Sequence, residues 1–150
     1  AALGAANAAR KHLHAQLAYF EDQYTQFYDT YLFGMPEAER LSIEKAVRRY
    51  TKLLNAILPR SDAGFGEQLE RFVLVGSRVT LRDPEDRTED SFYIVHPAES
   101  DADIDRISFL SPLGRQLLGS KRGDALALDV PGGTWNVVVA GVNYAYIGGF

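Results

Sequence analysis

From Leu13 onward the apolar and aromatic residues fall at Leu13, Leu17, Phe20, Tyr24, Phe27 and Tyr31, in alternating steps of four and three. That spacing is a heptad seam along one helical face. A second series, Ile43, Val47, Tyr50, Leu54 and Ile57, repeats it after a break at Phe33-Gly34-Met35-Pro36. Gly34 suits the end of one helix and Pro36 the start of the next, which predicts helices from about Ala5 to Leu32 and from Pro36 to Leu58. Two helices joined so closely run antiparallel. Each seam alone would leave a line of large side chains in water, so the pair is predicted to zip into a coiled-coil hairpin over residues 1–60, with its tip near 33–38. At ~1.5 Å per residue the arms span roughly 35 to 40 Å, longer than a small globular domain is wide.

Pro59 to Gly66 is dense in turn formers, and residues 61–72 read as a linker. Beyond it the periodicity changes to that of strands. Leu74 to Arg82 and Ser91 to His96 form a predicted hairpin around the charged turn Asp83 to Asp90, and Ile107–Leu110, Ala125–Val130 and Thr134–Tyr144 supply further strands. Ser111 can cap a short helix begun by Pro112 and closed by Gly119, which presents Leu113, Leu117 and Leu118 to one sheet face. Leu113 is expected in the core, and so is Trp135. The fold class is therefore α+β: a helical hairpin followed by an antiparallel sheet on one short helix, residues 73–150.

Composition narrows the function classes. There is no cysteine, hence neither a disulfide nor a thiolate metal site, and packing alone must stabilise the fold. No run approaches the length of apolar residues a membrane helix needs, and the Ala-rich start lacks the basic and apolar segments of a leader, so no membrane partner and a cytoplasmic address are expected. A net charge of -4 argues against a general duplex-DNA binder. His12 and His14 lie two apart on a helix and face different ways, and His96 ends a strand, so no histidine metal cluster is expected.

The stretches Val73–Leu81 (VLVGSRVTL), Ser91–Pro97 (SFYIVHP), Ile107–Gly119 (ISFLSPLGRQLLG), Lys121–Asp124 (KRGD) and Val130–Thr134 (VPGGT) together resemble, in order and spacing, the C-terminal domain of the GreA/GreB transcript-cleavage factors. The combination is specific although each piece alone is not. The resemblance implies an FKBP-like C-terminal domain, and a coiled-coil arm that reaches through the secondary channel of RNA polymerase. Its polymerase-gripping loop would fall on Ser111, Pro112 and Leu113. The same three residues also serve plain turn chemistry.

In that family acidic residues at the arm tip help hold a magnesium ion of the polymerase active site, since a hard cation takes carboxylate oxygen. No resident cofactor is expected, only that shared magnesium. The family's G-D-x-x-E-N tip motif does not occur in this chain. Glu37 and Glu39 are the nearest acids, with Asp29 a turn before the tip. Either the pair serves the metal or it complements the positive end of the second helix. Lys45, Arg48, Arg49 and Lys52 make one basic stripe beside the second seam, which faces nascent RNA on one reading and pairs with Glu21 and Asp22 on the other.

The favoured expectation is a monomeric, polymerase-binding elongation regulator of the Gre type, with no enzymatic activity of its own beyond stimulating cleavage by the polymerase. A true cleavage stimulator using Glu37 and Glu39 is the first alternative. An FKBP-like peptidyl-prolyl isomerase, resting on fold analogy alone, and a coiled-coil adaptor stand further off.

Overall fold

The computed structural model describes residues 2–145 and 150, with side chains from residue 6 onward. Most of the tail at 145–150, to which the sequence assigns no role, lies outside them. The chain divides between Phe65 and Gly66 into two compact units, with Phe150 joining the first.

The first unit holds α1 (Ala2–Asp22), a four-residue α2 (Tyr24–Phe27), a π-helical turn (Tyr28–Leu32) and α3 (Glu37–Ile57). α1 and α3 lie antiparallel: Arg10 donates to the Leu58 carbonyl, whereas Gln16 and Phe20, further along α1, both meet Tyr50. All five residues of the second seam are buried, as is Ala46. Along the first strip the buried positions are Ala9, Leu13, Gln16, Phe20, Phe27 and Leu32, while Leu17, Tyr24 and Tyr31 sit on its shoulder. The predicted continuous helix to Leu32 is interrupted at Gln23 and then widened. In the wide turn Phe33 N–H bonds to the Tyr28 carbonyl, five residues back. One extra residue shifts the helical phase by roughly 100°, so Leu32 takes the buried place predicted for Tyr31.

Arg10 fastens the other end of this unit. Its guanidinium lies 4.2 Å from the centroid of the Phe65 ring and reaches the Arg60 carbonyl at 3.0 Å and the Asp62 carboxylate at 3.1 Å. The stretch 61–72, read as a linker from its turn formers, carries the helix α4 (Asp62–Leu69). Gly64 and Gly66 are accommodated there because a favourable tertiary setting outweighs their weak helix propensity.

In the second unit β1 (Ser77–Arg82), β2 (Glu89–Val95), β3 (Arg106–Ser108), β4 (Ala125–Val130) and β5 (Gly133–Tyr144) form one sheet among the described residues, in the order β3-β2-β1-β5-β4. α5 (Pro112–Leu117) packs on it. The sheet is mixed, not wholly antiparallel. β3 runs parallel to β2 because residues 96–105 carry two 3-10 turns, Pro97–Glu99 and Ala102–Ile104, that return the chain to the start of β2's direction. Alternation in a three-residue strand carries no directional signal. β1 starts three residues later than predicted. Val73 spends its backbone groups on Gly119 and Ser120, Leu74 N–H goes to Ser77 Oγ, and Gly76 turns at φ +108 with Tyr144 directly over it.

Ser77, Val79, Leu81, Ile94, Val95, Leu128, Val137, Val139 and Val142 are the sheet's buried residues, with Phe109, Leu117 and Leu118 also buried in this unit. Buried positions on β5 switch from odd to even after Val139. The register break opposite Thr80 and Leu81 inserts one residue there and flips the side-chain parity.

Candidate functional site

The turn before α5 is specified atom by atom. Ser111 is extended (φ -63, ψ 154) and its Oγ accepts from Gly114 N–H at 3.0 Å while donating to the Ser108 carbonyl at 2.7 Å. Pro112 follows at the first helical position and is exposed; Leu113, expected in the core, is only half-buried. Arg115 Nη1 donates to the Leu110 carbonyl at 2.7 Å, closing the turn from the other side. Sequence reasoning found Ser111, Pro112 and Leu113 but missed two residues that hold them. Gly114 is buried with the Ser108 carbonyl so close that any Cβ would overlap it. Gln116 grips the β4 backbone, accepting from Asp129 N–H at 2.8 Å and donating to the Asp129 carbonyl at 3.0 Å, while it also donates to the Pro112 carbonyl at 2.9 Å. A glutamine in mid-helix carries no local signal for such a contact.

Phe33 leads the tip of the first unit and is 77% exposed. Gly34 turns at φ +82, and Pro36 precedes α3 in an extended conformation. Glu37 and Asp29 are exposed and Glu39 is partly covered. Two residues apart on α3, Glu37 and Glu39 point roughly 200° from each other, so they do not converge on one cation.

Lys45, Arg48, Arg49 and Lys52 are all exposed and do share a face. It is the face opposite the buried seam, roughly 140 to 240° round from Ile43, and not the flank expected from the sequence. From there none reaches Glu21 or Asp22: among the described residues no ion pair joins them. Between the helices Glu44 instead hydrogen-bonds Tyr24. Burial pushes the Tyr24 hydroxyl pKa up, Glu44 adds to the rise and Arg48 opposes it.

His96 closes β2. Its Nδ1 accepts from Ala98 N–H at 3.1 Å and so caps the following 3-10 turn. Burial holds its pKa below the usual histidine value, with Glu99 partly countering. Among the described residues no three of His, Asp or Glu are grouped to hold a metal ion, and no helix is long and apolar enough to cross a membrane.

A family model described as the C-terminal domain of the transcription elongation factors GreA/GreB matches residues 68–144, which include the whole of the Ser111 turn and the sheet. The transcription elongation factor GreA of Cereibacter sphaeroides is 32% identical over 93 residues, 62% of this chain and 62% of that protein. GreA of Vibrio parahaemolyticus is 39% identical over 72 residues, 48% of this chain and 46% of that one. The chain thus spans less than two thirds of the curated relatives it matches. Among solved structures, GreA factor homolog 1 of Thermus thermophilus is similar at 26% identity with a TM-score of 0.44, over 89% of this chain and 94% of the other.

Proposed function

We propose, because this chain belongs to the GreA/GreB transcription elongation factor family, that it is an RNA polymerase-binding elongation regulator working through the secondary channel. In this reading the paired helices α1 and α3 are a coiled-coil arm that enters the channel, and the sheet unit is an FKBP-like body that grips the rim with Ser111, Pro112 and Leu113. The observation that carries the reading is the family match over the sheet unit, which contains that loop in a rigidly fastened form. The exposed stripe Lys45, Arg48, Arg49 and Lys52, with no carboxylate ion-paired to it among the described residues, supports contact with nascent RNA through phosphate charge and without sequence preference.

The chain acts without restoring cleavage. It lacks the family's acidic tip motif, and the two acids nearest the tip, Glu37 and Glu39, face opposite ways on α3, which disfavours joint support of the polymerase magnesium. A true cleavage stimulator remains the competing reading, for which Glu37 is the more exposed of the pair.

The test uses polymerase stalled in a backtracked state. Added protein should leave the RNA uncut and suppress cleavage stimulated by an authentic GreA, and Pro112→Ala with Leu113→Ala should abolish that competition. RNA shortening that disappears with Glu37→Ala and Glu39→Ala would make the protein a cleavage factor. Absence of any competition would remove the polymerase reading.

A further inference from the structure

A cavity of about 190 Å³ opens in the second unit between the β1–β2 turn and the start of β5, lined by Asp83, Pro84, Glu85, Thr134, Trp135 and Asn136. Its volume is below the roughly 300 Å³ at which sites for whole small molecules begin, which suits one protruding side chain. Trp135, predicted for the core, is half-buried and contributes to this wall instead. Two carboxylates, a hydroxyl and an amide supply hydrogen-bond acceptors, and no lysine, arginine or histidine is among the lining residues. One oxygen of Asp83 is used inside the turn, accepting from Glu85 N–H at 2.8 Å and Asp86 N–H at 3.2 Å. Among the described residues its other oxygen and the Glu85 carboxylate are engaged by no ion pair, although Arg82 and Arg87 are close in sequence.

We propose that this cavity receives an arginine side chain carried by a protein partner, the guanidinium stacked on Trp135 and hydrogen-bonded to Asp83 and Glu85. A guanidinium is planar, keeps its charge at every relevant pH and offers five donors, which matches an aromatic wall surrounded by acceptors better than the compact ammonium of lysine. Attachment to a peptide matters, because free arginine would bring its own α-carboxylate toward Asp83 and Glu85. The cavity is linked to α5, which follows the proposed rim-gripping loop, through β4. Thr134 pairs with Asp129, the β4 residue held by Gln116 of α5, so one partner surface can meet both. The identity of that partner as RNA polymerase rests on the reading above; the cavity's chemistry does not.

Trp135 is the chain's single tryptophan, so its fluorescence reports the cavity directly. Titration with N-acetyl-L-arginine amide should give a saturable change in emission, weaker with N-acetyl-L-lysine amide and with free L-arginine at matched ionic strength. Asp83→Asn combined with Glu85→Gln should abolish it; the asparagine oxygen still accepts the two turn N–H groups, so the fold is kept. A response that is unsaturable, persists in the double variant or is equal for all three ligands overturns the site. In a separate arm the double variant should bind RNA polymerase at least tenfold more weakly than wild type, and unchanged affinity overturns polymerase as the source of the arginine.

Discussion

Alanine in place of Gly114 and in place of Gly66 should move stability in opposite directions, although both glycines are helical. At Gly114 the new methyl would overlap the Ser108 carbonyl oxygen and sit 3.0 Å from Ser111 Oγ. Backbone cannot yield as a flexible side chain does, so the overpacking costs about 1 to 3 kcal/mol. Ser111 Oγ must also swing away and give up its cap to Gly114 N–H, a further ~0.5 to 2 kcal/mol. A total of roughly 2 to 4 kcal/mol in a unit of this size lowers Tm by about 10 °C or more. At Gly66 a Cβ meets nothing within 4 Å. There alanine should add about 0.4 to 1 kcal/mol through helix propensity and a less free unfolded chain. Urea and thermal unfolding followed by circular dichroism measure both. A double-mutant cycle sharpens the point: Ser111→Ala should cost clearly less in the Gly114→Ala background, where the cap is already gone. Unchanged melting of Gly114→Ala, or full additivity with Ser111→Ala, would refute the account of the turn.

Two further outcomes follow from buried polar groups. The folded-state pKa of His96 lies below its unfolded value near 6.5, so between the two the unfolded chain binds more protons; the stabilisation is complete above about pH 6.5 and fades as pH falls through that window. Urea midpoints should show wild type losing more stability than His96→Asn between neutral and mildly acid pH, since asparagine can still accept from Ala98 N–H, and parallel losses would sink this assignment. Tyr50→Phe leaves Gln16 buried without the hydroxyl that donates to it, at a cost of about 1 to 3 kcal/mol in urea unfolding, and adding Gln16→Leu should recover most of the loss.

The elements that bury a continuous apolar face could be read from the chain alone. The second seam, from Ile43 to Ile57, is buried at every predicted position, and the β4–β5 hairpin appears at its predicted strands, because side-chain period and face are the same fact there. What escaped has a different origin. The parallel placement of β3 depends on how two 3-10 turns steer the chain, and α4 depends on tertiary contacts that override its glycines. The π-helical turn depends on a competition between helical phases that no single residue type encodes. At the candidate site Ser111 and Pro112 were legible because capping chemistry is local. Gln116 was not, because its partner Asp129 lies thirteen residues away. The basic stripe was legible as a cluster, and counting about 100° per residue from Ile43 puts it roughly a quarter turn beyond the expected flank, on the side away from the seam.

The wide turn at Tyr28–Leu32 separates two settings that a regular helix would lock together. Lengthening a plain helix by one residue would throw its whole buried face out of mesh. Where a five-residue turn already interrupts the helix, a one-residue gain or loss is absorbed on the spot, leaving α1 and α3 engaged while swivelling Phe33 and its neighbours about the helix axis. The turn is thus a vernier: the meshing of α1 with α3 is set on one side of it, and the compass bearing of Phe33 is dialled separately on the other.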